Sequence, residues 1–381
     1  MTAPRILVLN AGSSSLKAGL IELPGTTLGR AEVGWSSDAS LRDDRAADVA
    51  QVLRKVGIGA IGGAVRPGLD AVGYRVVHGG ARFSAPTLID DAVISGIEDV
   101  RGLAPLHTDV ALETIEAGRA LLPDVPHVAS FDTAFHATLA PDAYRYPVPE
   151  SWYREWGVRR YGFHGLSVAW SVRRAGDLLG REVADLSMVV AHLGSGCSVT
   201  AVDGGCSVDT SMGLTPLEGL MMGTRSGSID PGVLLRLLAA GSLDADGLAD
   251  ALDHESGLLG VSGSSSDMRQ LQLAAGQGDE RATLAIDMFV RRTAAWIASM
   301  ASALPRLDAL IFTGGIGENA VAVRRRIVGR LGVLGVAPLP DSAAIAGDGR
   351  LDAEAEHVAI LRIEAREDLV IASETAAIIE R

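Results

Sequence analysis

The sequence predicts an α/β protein made of two similar halves. Two observations carry this. Strand-length apolar runs alternate with helix-spaced segments along nearly the whole chain. One strand–turn–strand layout also occurs twice: Ile6-Leu-Val-Leu-Asn10-Ala-Gly-Ser-Ser-Ser15-Leu16, and about 180 residues later Val189-Val-Ala-His192-Leu-Gly-Ser-Gly-Cys197-Ser198-Val199. Both are hairpins with small residues at the tip, which suggests a duplicated fold with a cleft between its halves. A length of 381 residues suits two domains at about 150 residues each. A hydrophobic content of 48% is enough for large cores.

The elements follow in order. Residues 5–9 and 16–22 are apolar enough for strands, and Ala11-Gly12-Ser13-Ser14-Ser15 joins them as a turn. Residues 24–66 are rich in Gly, Asp, Arg and Ala, with one helical stretch near 46–55. Residues 71–77 form an apolar strand, 108–121 have helical spacing, and 127–131 form a strand. The Pro- and Tyr-rich stretch 141–149 is a boundary or hinge. A helix is expected over 167–179. Strands are expected over 188–193, 198–202 and 207–211, with Asp203-Gly204-Gly205 as a hairpin turn. That pairing puts Cys197 opposite about Thr210. The run 210–231 holds too much glycine for a stable helix and is too long for an idle turn; such loops are usually functional. Residues 280–304 carry apolar side chains at spacings of three and four, a long helix. A strand over 309–313 enters a glycine turn, Thr313-Gly314-Gly315-Ile316-Gly317-Glu318-Asn319, and a helix over 320–331. A strand over 358–363 and a helix over 371–380 complete the chain.

Charge narrows the function. Basic residues number 34 and acidic ones 47, a formal net charge of −13. A nucleic-acid binder usually carries a clustered basic face, and a field of this sign repels anions at long range. Any anion handled here must meet local cations or backbone N–H groups. Only two of the basic residues are lysines, Lys17 and Lys55. Lys55 sits in the helical stretch without a motif and reads as a surface charge. Lys17 follows the first small-residue turn, where a compact ammonium rather than a guanidinium is required. Cys197 and Cys206 are too few for a disulfide framework. The chain opens without a signal-peptide pattern and has no apolar run of membrane-spanning length, so a soluble cytoplasmic protein is expected.

The small-residue tips let backbone N–H groups approach phosphate oxygens, and a helix N-terminus adds a favourable dipole. No Walker A loop or complete Rossmann fingerprint is present, so a nicotinamide-dependent dehydrogenase is disfavoured. Zinc-type ligand spacing is missing; a hard, oxygen-liganded ion such as Mg²⁺ remains open. Four polar residues stand out. Arg75 interrupts an apolar strand, where a guanidinium needs an anionic partner: a substrate carboxylate or phosphate, or equally a structural salt bridge. Asp132 ends a strand beside two aromatics, as an active-site carboxylate or a helix N-cap. His164 lies between Phe163 and a glycine that permits close approach. Arg225 is the one cation in the run 210–231.

Together these residues resemble the acetokinase family of acetate and propionate kinases. The turn from Asn10 to Lys17 and the run 212–231 look like its two signature segments. Matching segments occur in order at 75–80, 103–107, 132–136, 161–165, 257–267 and 315–319. The resemblance implies a two-domain, duplicated ribonuclease H-like fold of the acetate and sugar kinase, Hsp70 and actin superfamily. It implies an N-terminal domain of 1–134 plus about 370–381 and a nucleotide-binding domain of 135–369. The implied reaction is reversible transfer of the ATP γ-phosphoryl group to a carboxylate, giving an acyl phosphate and ADP, by a cytoplasmic homodimer that needs Mg²⁺ or Mn²⁺.

By residue, the resemblance makes Arg75 the group that meets the substrate carboxylate, and Arg225 and His164 the transition-state stabilisers. Asp132 is the active-site carboxylate, orienting Arg or His rather than taking a proton. Val77, Leu106, Phe163 and Pro216 match the pocket for the methyl group. Lys17, with His192, Leu193, Gly194, Ser195 and Gly196, with Asp267, Met268 and Arg269, and with Gly315, Ile316, Gly317, Glu318 and Asn319, matches the nucleotide contacts. Asn10 and Glu367 match the metal positions. Departures exist: Ser195 replaces the family's asparagine, Leu166 and Val168 replace Thr and His, Thr108 and Asp109 replace Asn and Pro, and 24–66 is short. The competing readings are a propionate kinase and, from another class, a non-catalytic nucleotide-binding or chaperone-like protein on the same fold.

Overall fold

A computed structural model describes residues 3–12, 15–34, 45–58, 68–340, 345–353 and 357–380, with positions 105 and 106 described by their backbone alone. Ser13, Ser14 and the Leu106 side chain therefore lie outside the described residues. The strands are β1 (Arg5–Ala11), β2 (Ser15–Glu22), β3 (Thr26–Gly34), β4 (Ala71–Val76), β5 (Thr87–Leu88), β6 (His127–Phe131), β7 (Ser187–Leu193), β8 (Cys197–Asp203), β9 (Cys206–Thr210), β10 (Ala309–Thr313), β11 (Gly349–Arg350) and β12 (Ala359–Arg362). The helices are α1 (Arg45–Lys55), α2 (Asp91–Glu98), α3 (Pro105–Leu121), α4 (Pro141–Tyr144), α5 (Glu150–Trp156), α6 (Gly165–Leu179), α7 (Pro231–Ala239), α8 (Ala245–His254), α9 (Gly257–Ser262), α10 (Met268–Gly276), α11 (Glu280–Ala301), α12 (Gly314–Asn319), α13 (Val321–Val328) and α14 (Glu367–Ile379).

The chain divides into two compact units. Unit one is Met1–Ala137, Phe163–Trp170 and Arg366–Arg381; unit two is Thr138–Gly162 and Ser171–Ala365. Phe163–Trp170, far along the sequence, thus groups with the N-terminal stretch.

Unit one holds a six-stranded sheet in the order β3-β2-β1-β4-β6-β5. The first three strands form an antiparallel meander, β1, β4 and β6 run parallel, and β5 joins β6 antiparallel. β1 is apolar on both faces because both are covered, as parallel strands require. Leu7, Leu9 and Ala11 join a core with Val49 and Val52 of α1 and Ile115 of α3. Ile6 and Val8 join another with Val370, Ile371 and Ala376 of α14 and Leu166. Gly73 on β4 is required here: a Cβ there would press into Thr375 and Ile371 of α14.

Unit two repeats the plan. Its sheet order is β11-β12-β10-β7-β8-β9, with β7, β8 and β9 as the antiparallel meander, β7, β10 and β12 parallel, and β11 antiparallel to β12. Read from the meander, the two orders match strand for strand. The α/β fold of two duplicated halves is therefore as the repeated hairpins predict. The long α11 packs on β7 and β8 and buries Phe289, Val290 and Ile297. The register puts Thr200, not Cys197, opposite Thr210: Asp203 pairs directly with Cys206, leaving only Gly204 and Gly205 in the turn, and a bulge between Ala201 and Val202 moves the pairing one further position. Cys197 is buried and Cys206 exposed, and both are free thiols. Among the described residues, no helix is long and apolar enough to cross a membrane.

Candidate functional site

In unit one, three parallel strands end side by side, the place where open α/β sheets build sites. Asn10 lies near the end of β1, Arg75 near the end of β4, and Asp132 directly after β6. Asp132 is 1% exposed and Arg75 15% by side chain. Arg75 donates through Nε to Asp132 Oδ1 at 3.1 Å and through Nη2 to Oδ2 at 2.5 Å, a bidentate pair. Its Nη1 donates to Asn10 Oδ1 at 3.3 Å. These contacts use three of the five guanidinium N–H groups. Asn10 Nδ2 donates to Glu367 Oε2 at 2.9 Å, and that oxygen lies 3.8 Å from Arg75 Nε. Burial works against the Arg75 charge, but Asp132 and Glu367 more than offset it and raise its pKa. Burial pushes the Asp132 carboxyl up, opposed by Arg75 and by the backbone N–H of His164.

His164 is the only non-glycine residue at positive φ among the described residues, with φ of 59°. Such a backbone is costly for a residue with a Cβ and persists only where its surroundings impose it. Here they do. His136 Nε2 bonds the Phe163 carbonyl at 3.0 Å. The His164 N–H goes to the Asp132 carboxylate. The Gly165 N–H goes to the Asp132 carbonyl at 2.9 Å. A Cβ at Gly165 would overlap that carbonyl, which is why glycine starts α6. Phe163 is buried, with the His78 ring edge-on at 5.3 Å. Val77, just past β4, is buried too. Asp132 is thus neither a helix cap nor a surface group: its carboxylate orients Arg75 and the His164 backbone.

In unit two, four glycine-rich segments converge. The β7–β8 turn closes at Leu193 and Cys197, with the Gly194 N–H on the Gly196 carbonyl at 3.0 Å. His192 stands opposite Thr313 in the β7–β10 register. Gly314 has φ of +78°, and a Cβ there would press on the Leu193 backbone, so the α12 turn abuts the hairpin. The Gly223 N–H donates to the exposed Ser195's carbonyl at 3.1 Å, and Gly223 also faces Ser266. Arg225 follows in that irregular stretch, donating through Nη1 to the Pro216 carbonyl at 2.7 Å. No carboxylate pairs with it among the described residues' ion pairs. Burial lowers its pKa, and Asp253 and the Cys197 thiol offset this only in part. The thiol itself is pushed up by burial to about 12. A half-buried guanidinium whose charge is only partly offset is a place for an anion.

Other expected contacts are occupied locally. Asp267 caps α10, accepting the Arg269 and Gln270 N–H groups. The exposed Arg269 guanidinium folds back on it at 2.6 Å and holds its carboxyl down to about 2. Met268 is buried. Glu318 Oε1 accepts the Gly314 and Ala365 N–H groups, each at 3.0 Å, and Asn319 Nδ2 donates to the Gly315 carbonyl at 2.9 Å. Both therefore hold α12 in shape; Gly317 is buried, with its carbonyl bonded by Arg324 Nη1 at 2.7 Å, and Gly315 is the exposed glycine of that turn. Lys17 is exposed and stands directly opposite Asn10 on β2, so the two share a face. The sequence reading missed Arg160, Tyr146 and Glu218, which lace the segment before Arg225. The signal was an arginine beside a tyrosine-rich stretch and a glutamate inside the glycine-rich run.

Asn10 and Glu367 carry one amide oxygen and one carboxylate, here joined to Arg75 and to each other by hydrogen bonds that a metal ion would displace. That hard-oxygen set fits Mg²⁺, which takes its remaining ligands from water and substrate phosphates rather than from a protein cage. No group of three or more His, Cys, Asp and Glu suited to a metal occurs among the described residues.

Comparison with known proteins points one way. The acetokinase family matches residues 5–373. An acetate kinase of Deinococcus deserti is 46% identical over 394 aligned positions, covering 98% of this chain and 97% of that protein. The crystal structure of Porphyromonas gingivalis acetate kinase superposes with a TM-score of 0.88 at 36% identity, covering 99% of this chain and 100% of that one. That of a Francisella tularensis propionate kinase superposes with a TM-score of 0.87 at 35% identity, covering 98% and 99%.

Proposed function

The chain belongs to the acetokinase family, and from that premise we propose that it transfers the γ-phosphoryl group of ATP to acetate, reversibly, giving acetyl phosphate and ADP. As a member it is a phosphotransferase with a carboxyl group as acceptor. The observation that carries the reading is the Arg75 guanidinium, locked in plane by the buried Asp132 carboxylate yet retaining N–H groups for a second carboxylate.

An acetate oxygen attacks the γ-phosphorus, the bond to the β–γ bridging oxygen breaks, and ADP leaves with that electron pair. Acetate is ionised near pH 7, so no base is needed. Asp132 accordingly positions Arg75 and takes no proton. Catalysis is positioning plus neutralisation of charge on the transferring group. Arg75 holds the acceptor, with buried Val77 and Phe163 beside its strand for the methyl group. His164 and Arg225 stabilise the transferring phosphoryl. The hairpin from His192 to Gly196, the α12 glycines, the Asp267 segment and Lys17 meet the nucleotide. Mg²⁺ or Mn²⁺, held by Asn10 and Glu367, supplies charge neutralisation on phosphate oxygens when bound.

The test is hydroxamate formation from ATP and acetate, propionate or butyrate. Acetate is expected to lead in kcat/KM, with propionate about 10-fold or more lower, since one methylene discriminates by about 1–3 kcal/mol. A reversed order makes the chain a propionate kinase, and no acyl phosphate from any of the three overturns the reading.

The reading also puts the enzyme in the cytoplasm, where ATP is available, and makes it a homodimer. Supporting the dimer, α7 buries none of its residues and exposes Leu235 and Leu238 on one side and Val233 on the other, apolar surface that water disfavours. Light scattering should give twice the 39.5 kDa chain mass; a monomer at micromolar concentration refutes this part.

A further inference from the structure

We propose that Tyr146, Glu218 and Arg160 are positioning residues for Arg225: they fix the irregular segment whose Pro216 carbonyl holds its guanidinium. The inference rests on the phosphoryl-transfer reading above.

The sheet holds this stretch only as far as Ser211, whose N–H and hydroxyl oxygen both bond the Val199 backbone at 2.9 Å; from Met212 to Pro216 no strand or helix defines it. Each residue from 210 to 214 is also tied to the chain between 146 and 162. Arg160 Nη1 donates to the carbonyls of Thr210, Ser211 and Met212 at 2.8, 3.1 and 3.2 Å. The Gly213 carbonyl accepts the Tyr161 and Gly162 N–H groups at 3.0 and 3.3 Å. The Leu214 N–H donates to the Tyr146 hydroxyl oxygen at 3.0 Å.

Glu218 closes the network from the far side of Pro216. Its Oε1 accepts from Arg160 Nη2 at 3.0 Å and its Oε2 accepts the Tyr146 hydroxyl. Pro216 is therefore held between two anchored points, two residues to each side. Gly213 belongs to the same design, because a Cβ there would overlap both the Glu218 carboxylate and the Tyr146 hydroxyl. Burial and Glu218 raise the Tyr146 pKa, so the phenol keeps its proton and remains a donor. Among the described residues no carboxylate forms an ion pair with Arg225, so the carbonyl held by this network, at 2.7 Å, sets its aim. A small misplacement of a charged group costs rate steeply.

Tyr146→Phe deletes two of these bonds while keeping the ring. Its kcat should fall about 10-fold, with KM for ATP changed less than twofold. The decisive measurement is a double-mutant cycle with Arg225→Ala. If Tyr146 acts through Arg225, adding Tyr146→Phe to Arg225→Ala changes kcat less than twofold. If the network only stabilises the fold, Tyr146→Phe lowers kcat by the same factor in both backgrounds, and the proposal is overturned. Glu218→Gln runs the same cycle should Tyr146→Phe fold poorly. Wild-type turnover in the same assay separates the two levels: an inactive wild type overturns both readings, and an active one with an additive cycle overturns only this inference.

Discussion

Arg225→Ala should lower kcat by about 10²–10³-fold, the loss typical of one donor that stabilises transition-state charge, with little change in thermal midpoint. The two halves of that expectation come from one observation. The Arg225 guanidinium is half-buried, donates to one carbonyl, and has its pKa lowered because its desolvation is not fully offset. Its charge is therefore only partly neutralised by the protein, and among the described residues its removal strands no ion-paired carboxylate. The stability loss is limited to one hydrogen bond, about 1 kcal/mol. A transferring phosphoryl group offers the missing negative charge, so the same removal is expensive in rate. Arg225→Lys should recover part of kcat, since it restores the charge but not the fork that meets both the Pro216 carbonyl and a phosphoryl oxygen. Near-normal turnover in Arg225→Ala would remove Arg225 from the mechanism.

Parts of this molecule were legible in sequence because they are dictated locally. β1, β7 and β10 are buried on both faces and read as unbroken apolar runs. The duplicated hairpin foretold the matching sheet orders. β3 was missed because it alternates between exposed and half-buried residues without a fully buried one; an edge strand of this kind has no apolar face to recognise. Helices α2, α7, α8 and α10 were missed for a different reason. They are short, but each opens on an aspartate cap, at Asp90, Asp230, Asp244 and Asp267, a signal that was available. Part of the acidic excess therefore serves helix starts. In the site, residue types and order were legible, but pairing was not. Sequence could not tell that Asp132 faces Arg75, since the two lie 57 positions apart, nor that Arg269 turns back on its neighbour Asp267. It also could not assign the strained His164 backbone, which depends on Asp132 and His136 together.

The opposite electrostatic case is Arg75. Arg75→Met should abolish carboxylate binding and lower kcat/KM by about 10²–10³-fold, and it should also destabilise unit one strongly. Here the removed cation leaves Asp132 behind at 1% exposure, and breaking a buried pair costs about 3–5 kcal/mol. The pH dependence gives the sign. Burial already raises the Asp132 pKa, and Arg75 is the chief opposing influence; without it the folded-state value rises further above the unfolded value of about 3.9. Between those two values the folded protein binds more protons than the unfolded one, so stability falls as pH rises. The deficit of Arg75→Met relative to wild type should therefore be smallest near pH 4 and grow toward neutrality, read as thermal midpoints at pH 5 and pH 8. Adding Asp132→Asn removes the stranded charge, so the double variant should melt higher than Arg75→Met at pH 8 and lose that pH dependence. Activity should not return with it, because an uncharged pair offers nothing to an acyl carboxylate. Equal midpoints for Arg75→Met and wild type at pH 8 would mean that the ion pair does not hold the strand ends, and that Asp132 must be assigned another partner.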